Sequence, residues 1–277
     1  MRLICHRGTN FLSYTETDEE VSIIVDEDSL ARLQQVLRDE AKVAPKCWSA
    51  LRVYEGASAI NIVGLVSHLS APLYRENLDS VYLSTFLTDL IMVPEEERDV
   101  AVKLLEGICK KGEEKMTIHD ISSLPPPPMD TKSVNKTVTI NTLPHRLVIA
   151  YFDATPQNVE TITHSLLRQF FFPPSQERIF SFTSSLGEIT LLVNADSLHT
   201  FPSGLLSTNR ATWKAIQVQD SGTAFSGANV HVFSRILAGA GVSIYYLSTA
   251  NSDYILVPEE SIDDALTALR SRLNIVT

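Results

Sequence analysis

The sequence repeats its own plan, and this repetition limits the fold more than any other feature. Residues 48–53 (WSALRV) return as residues 213–218 (WKAIQV). A longer segment, residues 80–96, returns as residues 243–260 with Leu-Ser-Thr, Asp and Val-Pro-Glu-Glu in the same order. The offset is 165 residues between the two tryptophans and 164 residues between the two aspartates. An offset this constant indicates a duplication, so the fold must be one that two copies of a single plan can build.

A third pair of segments lies further upstream in both copies. Residues 11–15 and 21–25 correspond to residues 180–183 and 189–193. Before this pair, the second copy spends about 34 residues, 146–179, on a predicted strand and helix, whereas the first copy has only ten residues. We therefore expect the N-terminal unit to be truncated, or its start to lie upstream.

Apolar spacing in both copies predicts strands and helices in alternation. The order β-α-β-β-α-β predicts an α+β fold in which helices cover one face of an antiparallel sheet, the ferredoxin-like arrangement. In the first copy, Ile62, Leu65, Val66, Leu69 and Leu73 have helical spacing, and a last helix begins at Pro94. In the second copy we predict strands at 146–152, 179–183, 189–193, 213–218, 243–249 and 254–257, and helices around 159–170, around 230–237 and from Pro258 onward.

A linker separates the two halves. Residues 110–144 hold a charged stretch, four consecutive prolines and then a polar stretch with few apolar residues to bury. Such a composition favours a flexible, Pro-rich linker without regular structure. The predicted organisation is a partial unit at 1–44, a unit at 45–109, a disordered linker at 110–144, and units at 145–205 and 206–277.

Composition excludes several classes of function. The net charge of −10 repels nucleic acid and anionic lipid, and no apolar run is long enough to span a bilayer. Three distant cysteines favour a reducing compartment, so we expect a cytosolic protein. The seven histidines lack metal-ligand spacing, and no nucleophile elbow is present. We therefore expect no cofactor and no enzymatic activity.

The twin Leu-Ser-Thr-x-x-x-Asp segments, the tryptophan-led strands and residues 70–73 (SAPL) resemble the ACT domains of the CASTOR family, the cytosolic arginine sensors of the TOR pathway. Small bacterial amino-acid-binding ACT proteins are similar to one half of the chain. The resemblance covers nearly all of the sequence outside the linker and the first ten residues. It implies tandem ACT units, joined by the Pro-rich linker, that bind a free amino acid between the second and the fourth unit.

The resemblance also assigns ligand-binding positions. On this chain they fall on Asp79, Ser80, Thr223, Ser226, Gly227, Ala228, Thr249, Ala250 and Asp253. Ser226 stands where the family has an acidic residue, and Asp79 stands where it has a serine. Two carboxylates hold a guanidinium far better than one. The prediction is therefore a free amino acid as ligand, with these two differences weighing against arginine itself.

By the same resemblance, the segment that binds a protein complex of the TOR pathway is Phe86, Leu87, Thr88 and Asp89. Other readings stay open at this point. Asp89 and Asp253 can equally serve as turn residues of their strand pairs. The chain can also be an interaction protein with a degenerate pocket, or the regulatory subunit of an amino-acid biosynthetic enzyme, and a homodimer remains open.

Overall fold

The computed structural model describes residues 11–37, 40–54, 63–106, 108–112, 115–118, 137–173, 178–185, 187–209, 211–219 and 227–276, and the statements that follow concern these residues. Within them the strands are β1 Leu12–Glu16, β2 Val21–Val25, β3 Trp48–Tyr54, β4 Val81–Ser84, β5 Thr88–Pro94, β6 Cys109–Gly112, β7 Lys115–Ile118, β8 Thr137–Thr142, β9 Leu147–Asp153, β10 Phe180–Ser185, β11 Glu188–Asn194, β12 Ser207–Thr208, β13 Trp213–Gln219, β14 Tyr245–Ser248, β15 Asp253–Pro258 and β16 Asn274–Val276. The helices are α1 Glu27–Leu37, α2 Leu65–Arg75, α3 Arg98–Glu106, α4 Pro156–Phe171, α5 Gly227–Gly239 and α6 Ile262–Arg270, with short 3-10 turns at Glu95–Glu97, Ala195–Thr200 and Glu259–Ser261.

The chain forms two compact units, and each takes segments from both halves of the sequence. Unit 1 consists of Met1–Cys47 and Pro144–Trp213, and unit 2 consists of Trp48–Leu143 and Lys214–Thr277. The four predicted units are therefore regrouped in pairs, the first with the third and the second with the fourth. The duplicated segments fold together because each copy completes the other's sheet, as described below for each unit.

Unit 1 is an antiparallel sheet in the order β2-β1-β10-β11-β9. Strand β1 of the first copy pairs with β10 of the second, and Ser13 and Thr15 hydrogen-bond through their hydroxyls to Thr183 and Ser181 at 2.9 and 3.0 Å. The apolar face of α4 packs on this sheet around Ile162, which is completely buried. The first-copy hairpin is thus held by a sheet that the second copy mostly builds.

An aromatic and ionic cluster fixes β1 to the second copy. The rings of Tyr14 and Phe170 meet edge to face at 5.0 Å, and Phe170 meets Phe180 in the same way at 5.1 Å. Beside them, the buried guanidinium of Arg178 pairs with Glu16, and Glu16 also accepts a hydrogen bond from the Tyr14 hydroxyl at 3.0 Å. Edge-to-face aromatic pairs contribute about 0.5–1.5 kcal/mol each beyond the area they bury.

Unit 2 is a sheet in the order β13-β15-β14-β4-β5-β3-β7-β6, and β8 and β16 join it beside β13. Helices α2, α3, α5 and α6 contribute to one apolar core with one face of this sheet. Helix α2 of the first copy packs against α5 of the second. Every residue of β4 and β5 is buried, so these strands do not alternate between buried and exposed positions.

The duplication is visible as an approximate two-fold relation inside unit 2. Leu83 of β4 pairs with Leu247 of β14, its own equivalent 164 residues later. Around this pair, the Tyr82 N–H donates to the Ser248 hydroxyl at 3.3 Å, and the equivalent Tyr246 N–H donates to Ser84 at 3.1 Å. When a residue pairs with its own counterpart, the two-fold axis passes between the two residues. Here the axis therefore passes between Leu83 of β4 and Leu247 of β14.

The two copies agree even at their helix ends. Helix α2 is followed by Asn77 at φ 54°, and α5 is followed 164 residues later by Gly241 at φ 72°. Both residues occupy the left-handed region that asparagine and glycine tolerate best. The next residues, Leu78 and Val242, each donate a backbone hydrogen bond at 3.0 Å to a leucine carbonyl in the preceding helix. This is the hydrogen-bond pattern of the Schellman motif, which ends a helix by satisfying its last carbonyl groups.

The prediction of an unstructured linker at 110–144 is wrong at both ends. Strands β6 and β7 occupy its beginning and β8 occupies its end, while the residues between Ile118 and Thr137, with the four prolines, lie outside the described residues. An edge strand presents unpaired N–H and C=O groups that an adjacent chain segment can satisfy. Strand β7 pairs with β3, and β8 pairs with β13 over residues 139–142 and with β16 over residues 137–139. The side chains of Val138 and Ile140 in β8 are buried.

Helix α1 is an element that the apolar pattern did not predict. None of its residues is buried, so its sequence lacks a continuous core-facing stripe. A polar signal was available, because the Asp26 carboxylate accepts the Ser29 N–H at 2.7 Å and acidic residues follow in the first turn. No helix of the described residues is both long and apolar enough to cross a membrane.

The Tyr14 cluster makes the stability of unit 1 sensitive to alkaline pH. Burial first, and then the hydrogen bond to Glu16 and the charge of that carboxylate, raise the pKa of Tyr14 from 10.0 to about 12. Between pH 10 and 12 the unfolded chain loses this proton while the folded chain keeps it, so the free energy of unfolding falls as pH rises. We expect urea unfolding at pH 9, 10 and 11 to show this loss and Tyr14→Phe to reduce its slope. An unchanged slope in the variant would contradict the assignment to Tyr14.

Candidate functional site

The threonine of the repeated motif has a structural role in both copies. Thr249 closes the turn between β14 and β15, since its hydroxyl donates to the Ser252 carbonyl at 2.6 Å and accepts the Ser252 N–H at 3.2 Å. Thr85 makes the same pair of contacts with Thr88, at 2.6 and 3.1 Å. Both threonines are buried. The Thr-x-x-x-Asp spacing therefore encodes a turn, which in turn fixes where the following aspartate begins its strand.

In the first copy the motif aspartate, Asp89, is buried, with 4% of its surface exposed. Its Oδ2 accepts the Tyr82 hydroxyl at 2.7 Å. A carboxylate held in this way has its charge stabilised inside the fold. Asp89 thus serves the hairpin of β4 and β5.

In the second copy the equivalent aspartate, Asp253, is more exposed than Asp89. Asp253 is only partly buried, at the first position of β15 and near the start of α5. The Asn229 side-chain amide donates to its Oδ2 at 3.5 Å, a long contact. The hydroxyl of Tyr246, the counterpart of Tyr82, has no hydrogen bond of standard geometry within the described residues. Burial, followed by the charge of Asp253 and its capacity to accept a hydrogen bond, raises the pKa of Tyr246 well above its usual value.

The sheet register brings the first copy to the same place. Strands β4 and β14 are antiparallel and pair at Leu83 and Leu247. If this register is continued by three residues, Ser80 comes opposite Ala250, at the turn that precedes Asp253. Ser80 is buried and Asp79 is exposed. The predicted positions from the two copies that the structure describes therefore converge at one end of the β4–β14 pair.

Helix α5 begins at this end as well. Its first residues are Gly227 and Ala228, at the backbone positions where the N–H groups of a helix have no partner within the helix. Such a terminus, together with the helix dipole, attracts a carboxylate. Two further predicted ligand positions, Thr223 and Ser226, lie outside the described residues.

Behind the site, the two helices meet through polar and aromatic groups that the sequence did not single out. The rings of Tyr74 on α2 and His231 on α5 stack at 4.8 Å, and the Ser70 hydroxyl lies 3.5 Å from His231 Nδ1. The sequence analysis also missed Asn229, because an isolated polar residue at the start of a helix carries no periodic signal. The tyrosine three residues before each motif threonine was detectable, since it is repeated in both copies.

The predicted partner-binding segment divides into accessible and inaccessible positions. Phe86 and Leu87 are partly exposed in the turn between β4 and β5. Thr88 and Asp89 are buried inside the hairpin. In this conformation only the first two can present side chains to another protein. Elsewhere in the described part of the chain, no group of three or more His, Cys, Asp and Glu side chains could hold a metal ion.

Comparison with known proteins identifies the repeated units. The sequence profile of the ACT domain family matches residues 43–107 and 209–271, which include the two copies of the motif. The chain is 26% identical over 287 residues to "Cytosolic arginine sensor for mTORC1 subunit 1" of Homo sapiens, covering 95% of this chain and 86% of the relative. It is 27% identical to the Bos taurus protein of the same name, with the same coverage. The ACT units expected from the two copies of the motif are thereby confirmed at these two regions.

Solved structures that are similar to the chain include regulatory parts of aspartate kinases. The regulatory subunit of aspartate kinase from Thermus thermophilus aligns with 48% of this chain and 95% of its own length, at 13% identity and a TM-score of 0.36. The aspartate kinase from Synechocystis aligns with 96% of this chain and 49% of its own length, at 13% identity and a TM-score of 0.37. Likeness at these TM-scores does not extend to the arrangement of the whole chain.

Because Asp89 is buried and Asp253 is partly exposed, removing the two equivalent tyrosine hydroxyls should change the free energy of unfolding by different amounts. Tyr82→Phe leaves a buried carboxylate without one of its donors and should lower the free energy of unfolding by about 1–3 kcal/mol. Tyr246→Phe removes a hydroxyl beside the partly exposed Asp253 and should lower the free energy of unfolding less, by about 1 kcal/mol or less. Urea unfolding of both variants measures the difference. Equal losses would contradict the contrast between the two copies.

Proposed function

We propose that this tandem ACT-domain protein, related along 95% of its length to the cytosolic arginine sensors, binds a free amino acid in unit 2 and passes its occupancy to a protein partner. The binding group is the cluster formed by Asp253, the first turn of α5 and the start of β4. In this proposal the chain acts as a regulatory protein and catalyses no reaction. Its place of action is the cytosol, which is where the name of its relatives places them.

The observation that carries this proposal is the contrast between the two duplicated aspartates. A purely structural role for the motif would treat both copies alike, but Asp89 is buried and accepts the Tyr82 hydroxyl at 2.7 Å. Asp253 is partly exposed at the meeting point of both copies, where the amide of Asn229 reaches it only at 3.5 Å. Duplicated sites diverge in this way when one copy keeps the fold and the other acquires a ligand.

The cluster offers complementary groups for both ends of an amino acid. The Asp253 carboxylate suits a positive group, either the α-ammonium or a cationic side chain. The first N–H groups of α5, which have no acceptor within the helix, suit the α-carboxylate. Ser80 adds a hydroxyl from the first copy. Asp253 is the one partly buried carboxylate among the described predicted positions, since Asp79 is exposed. The ligand class is therefore a free amino acid, and arginine is one member to test.

Binding at this place links the two copies, and this linkage makes it suitable for signalling. Asp253 and α5 belong to the second copy, whereas Ser80 belongs to the first. A ligand that touches both adds contacts that exist only when β4 and β14 are paired. It therefore shifts the population toward that paired arrangement by its difference in affinity for the two states.

A screen of all proteinogenic amino acids by thermal unfolding tests the proposal directly. A ligand at 100 times its dissociation constant should raise the free energy of unfolding by about 2.7 kcal/mol. Asp253→Asn, which keeps the shape and removes the charge, should weaken binding of the responding amino acid by about 2–5 kcal/mol.

The duplication supplies a matched control for this screen. Asp89→Asn removes the equivalent charge from the closed copy, so it should lower stability while leaving the dissociation constant within about threefold of the unchanged protein. If no amino acid stabilises the well-folded chain, or if both variants weaken binding equally, the proposed site is wrong.

We also propose that the turn between β4 and β5 contacts a protein of the TOR pathway through Phe86 and Leu87. Leu87→Ser should make TOR kinase activity in cells insensitive to withdrawal of the responding amino acid, while amino-acid binding by the purified chain stays intact. Val36→Ser, at an exposed apolar position of α1, is the control. Normal regulation in the Leu87 variant would exclude this turn as the contact.

A further inference from the structure

A small cavity in unit 1 lies close to the contact between the two copies of the sequence. It has a volume of about 10 Å³. Its polar lining comes from Gln169 of α4, Arg178 just before β10, Asn194 at the end of β11 and Ser197 in the 3-10 turn that follows. The other lining residues are apolar and buried: Ile179, Phe180 and Val193. The candidate amino-acid site lies in unit 2, so this cavity is separate from it.

Arg178 is a buried cation whose donors join the two copies. Only 4% of its surface is exposed. Its guanidinium donates through Nη2 to Glu16 of β1 and through Nη1 to the Gln169 carbonyl, and its backbone N–H donates to Asp18 at 2.9 Å. The remaining guanidinium nitrogen, Nε, is buried and has no hydrogen-bond acceptor within the described residues. A buried cation is stable only when its donors are satisfied, so this atom needs a partner.

Asn194 supplies the complementary atom in the same cavity. Its Oδ1 is buried and has no hydrogen-bond donor within the described residues. Asn194 directly precedes the 3-10 turn Ala195–Thr200, where an asparagine side chain would normally accept a backbone N–H, but it makes no such bond. A donor and an acceptor therefore line one cavity without bonding to each other.

We propose that this cavity binds one water molecule, which accepts a hydrogen bond from Arg178 Nε and donates one to Asn194 Oδ1. A cavity of about 10–15 Å³ is just large enough for a single water molecule, and such a molecule needs two to four polar partners. Ser197, which also lines the cavity, can supply a third partner. The volume is too small for a larger ligand, and the apolar residues of the lining shield the site from bulk solvent.

The bound water extends a hydrogen-bond network that links the two copies. The network begins at Glu16 of β1 and passes through Arg178 and the water to Asn194, so the first-copy hairpin is tied to the end of β11 as well as to α4. Helix α4 is tied to the same 3-10 turn, because the Gln169 amide donates to the Thr200 hydroxyl at 2.9 Å. A network in which every buried member is satisfied makes its surroundings rigid.

Nuclear magnetic resonance of the full chain tests this site. We expect the Nε–H of Arg178 to show a nuclear Overhauser effect to water with opposite signs in laboratory-frame and rotating-frame spectra, the signature of a long-lived bound water and not of proton exchange. Oxygen-17 relaxation dispersion of the solvent counts such long-lived water molecules. Asn194→Leu, which keeps the shape of the side chain and removes the acceptor, should lower this count by one.

Two further variants serve as controls. Gln157→Leu removes an exposed amide of α4 that does not line the cavity, so it should leave both signals unchanged. Asn194→Asp keeps an acceptor oxygen at the same place and should retain the water. Asn194→Leu should also unfold at a lower temperature than the unchanged chain, because Arg178 Nε then has no partner.

Absence of the Overhauser effect at Arg178 in the unchanged chain would overturn the proposal, and this outcome does not depend on how any variant folds. An unchanged count of long-lived waters in folded Asn194→Leu would overturn it as well. Asp253→Asn in unit 2 should leave the water in place, which separates failure of this site from failure of the amino-acid site.

Discussion

The antiparallel pairing of β4 with β14 is the contact on which unit 2 depends. Each copy of the motif ends its own small sheet at one of these strands, and an exposed edge would leave N–H and C=O groups without partners. The two copies remove this cost by pairing with each other, with Leu83 beside its own counterpart Leu247. That register also brings α2 against α5 and the start of β4 to the turn before Asp253. A shift of one residue would turn every side chain of these strands to the opposite face.

Within this symmetric frame, the two copies have diverged at a small number of positions. The turn threonines and the left-handed residues after α2 and α5 are equivalent in place and in contacts. The difference lies at the start of the helices, where Asn229 of α5 corresponds to the buried Leu65 of α2. In the first copy this position holds the apolar side chain of Leu65, whereas in the second copy it holds the polar amide of Asn229. The polar groups that could bind a ligand therefore lie at the start of α5 and not at the equivalent start of α2.

The candidate amino-acid site of unit 2 lies at the start of α5. The start of the helix combines N–H groups that have no acceptor within the helix with the Asp253 carboxylate, and this combination suits a ligand that carries both charges. Near its other end, Arg235 and the exposed Arg272 lie close together. Helix ends normally favour this distribution, because the dipole attracts negative groups at the N-terminus and positive groups at the C-terminus. The same dipole therefore stabilises the positive charge of Arg235 near the end of α5.

The sequence by itself determined the duplication, the βαββαβ order and the ends of most elements, because apolar periodicity and repeated turn residues are local signals. It also determined that Asp89 and Asp253 begin equivalent strands. It did not determine that β7 and β8 would extend the sheet, since pairing at an edge depends on which strands remain unpaired after folding. Only the tertiary structure decided that Asp89 is buried beside the Tyr82 hydroxyl while Asp253 is partly exposed. It also decided that Arg235 lines a cavity together with Arg272. Those outcomes depend on distances between residues that are far apart in the chain, and burial in three dimensions, rather than local spacing, sets them.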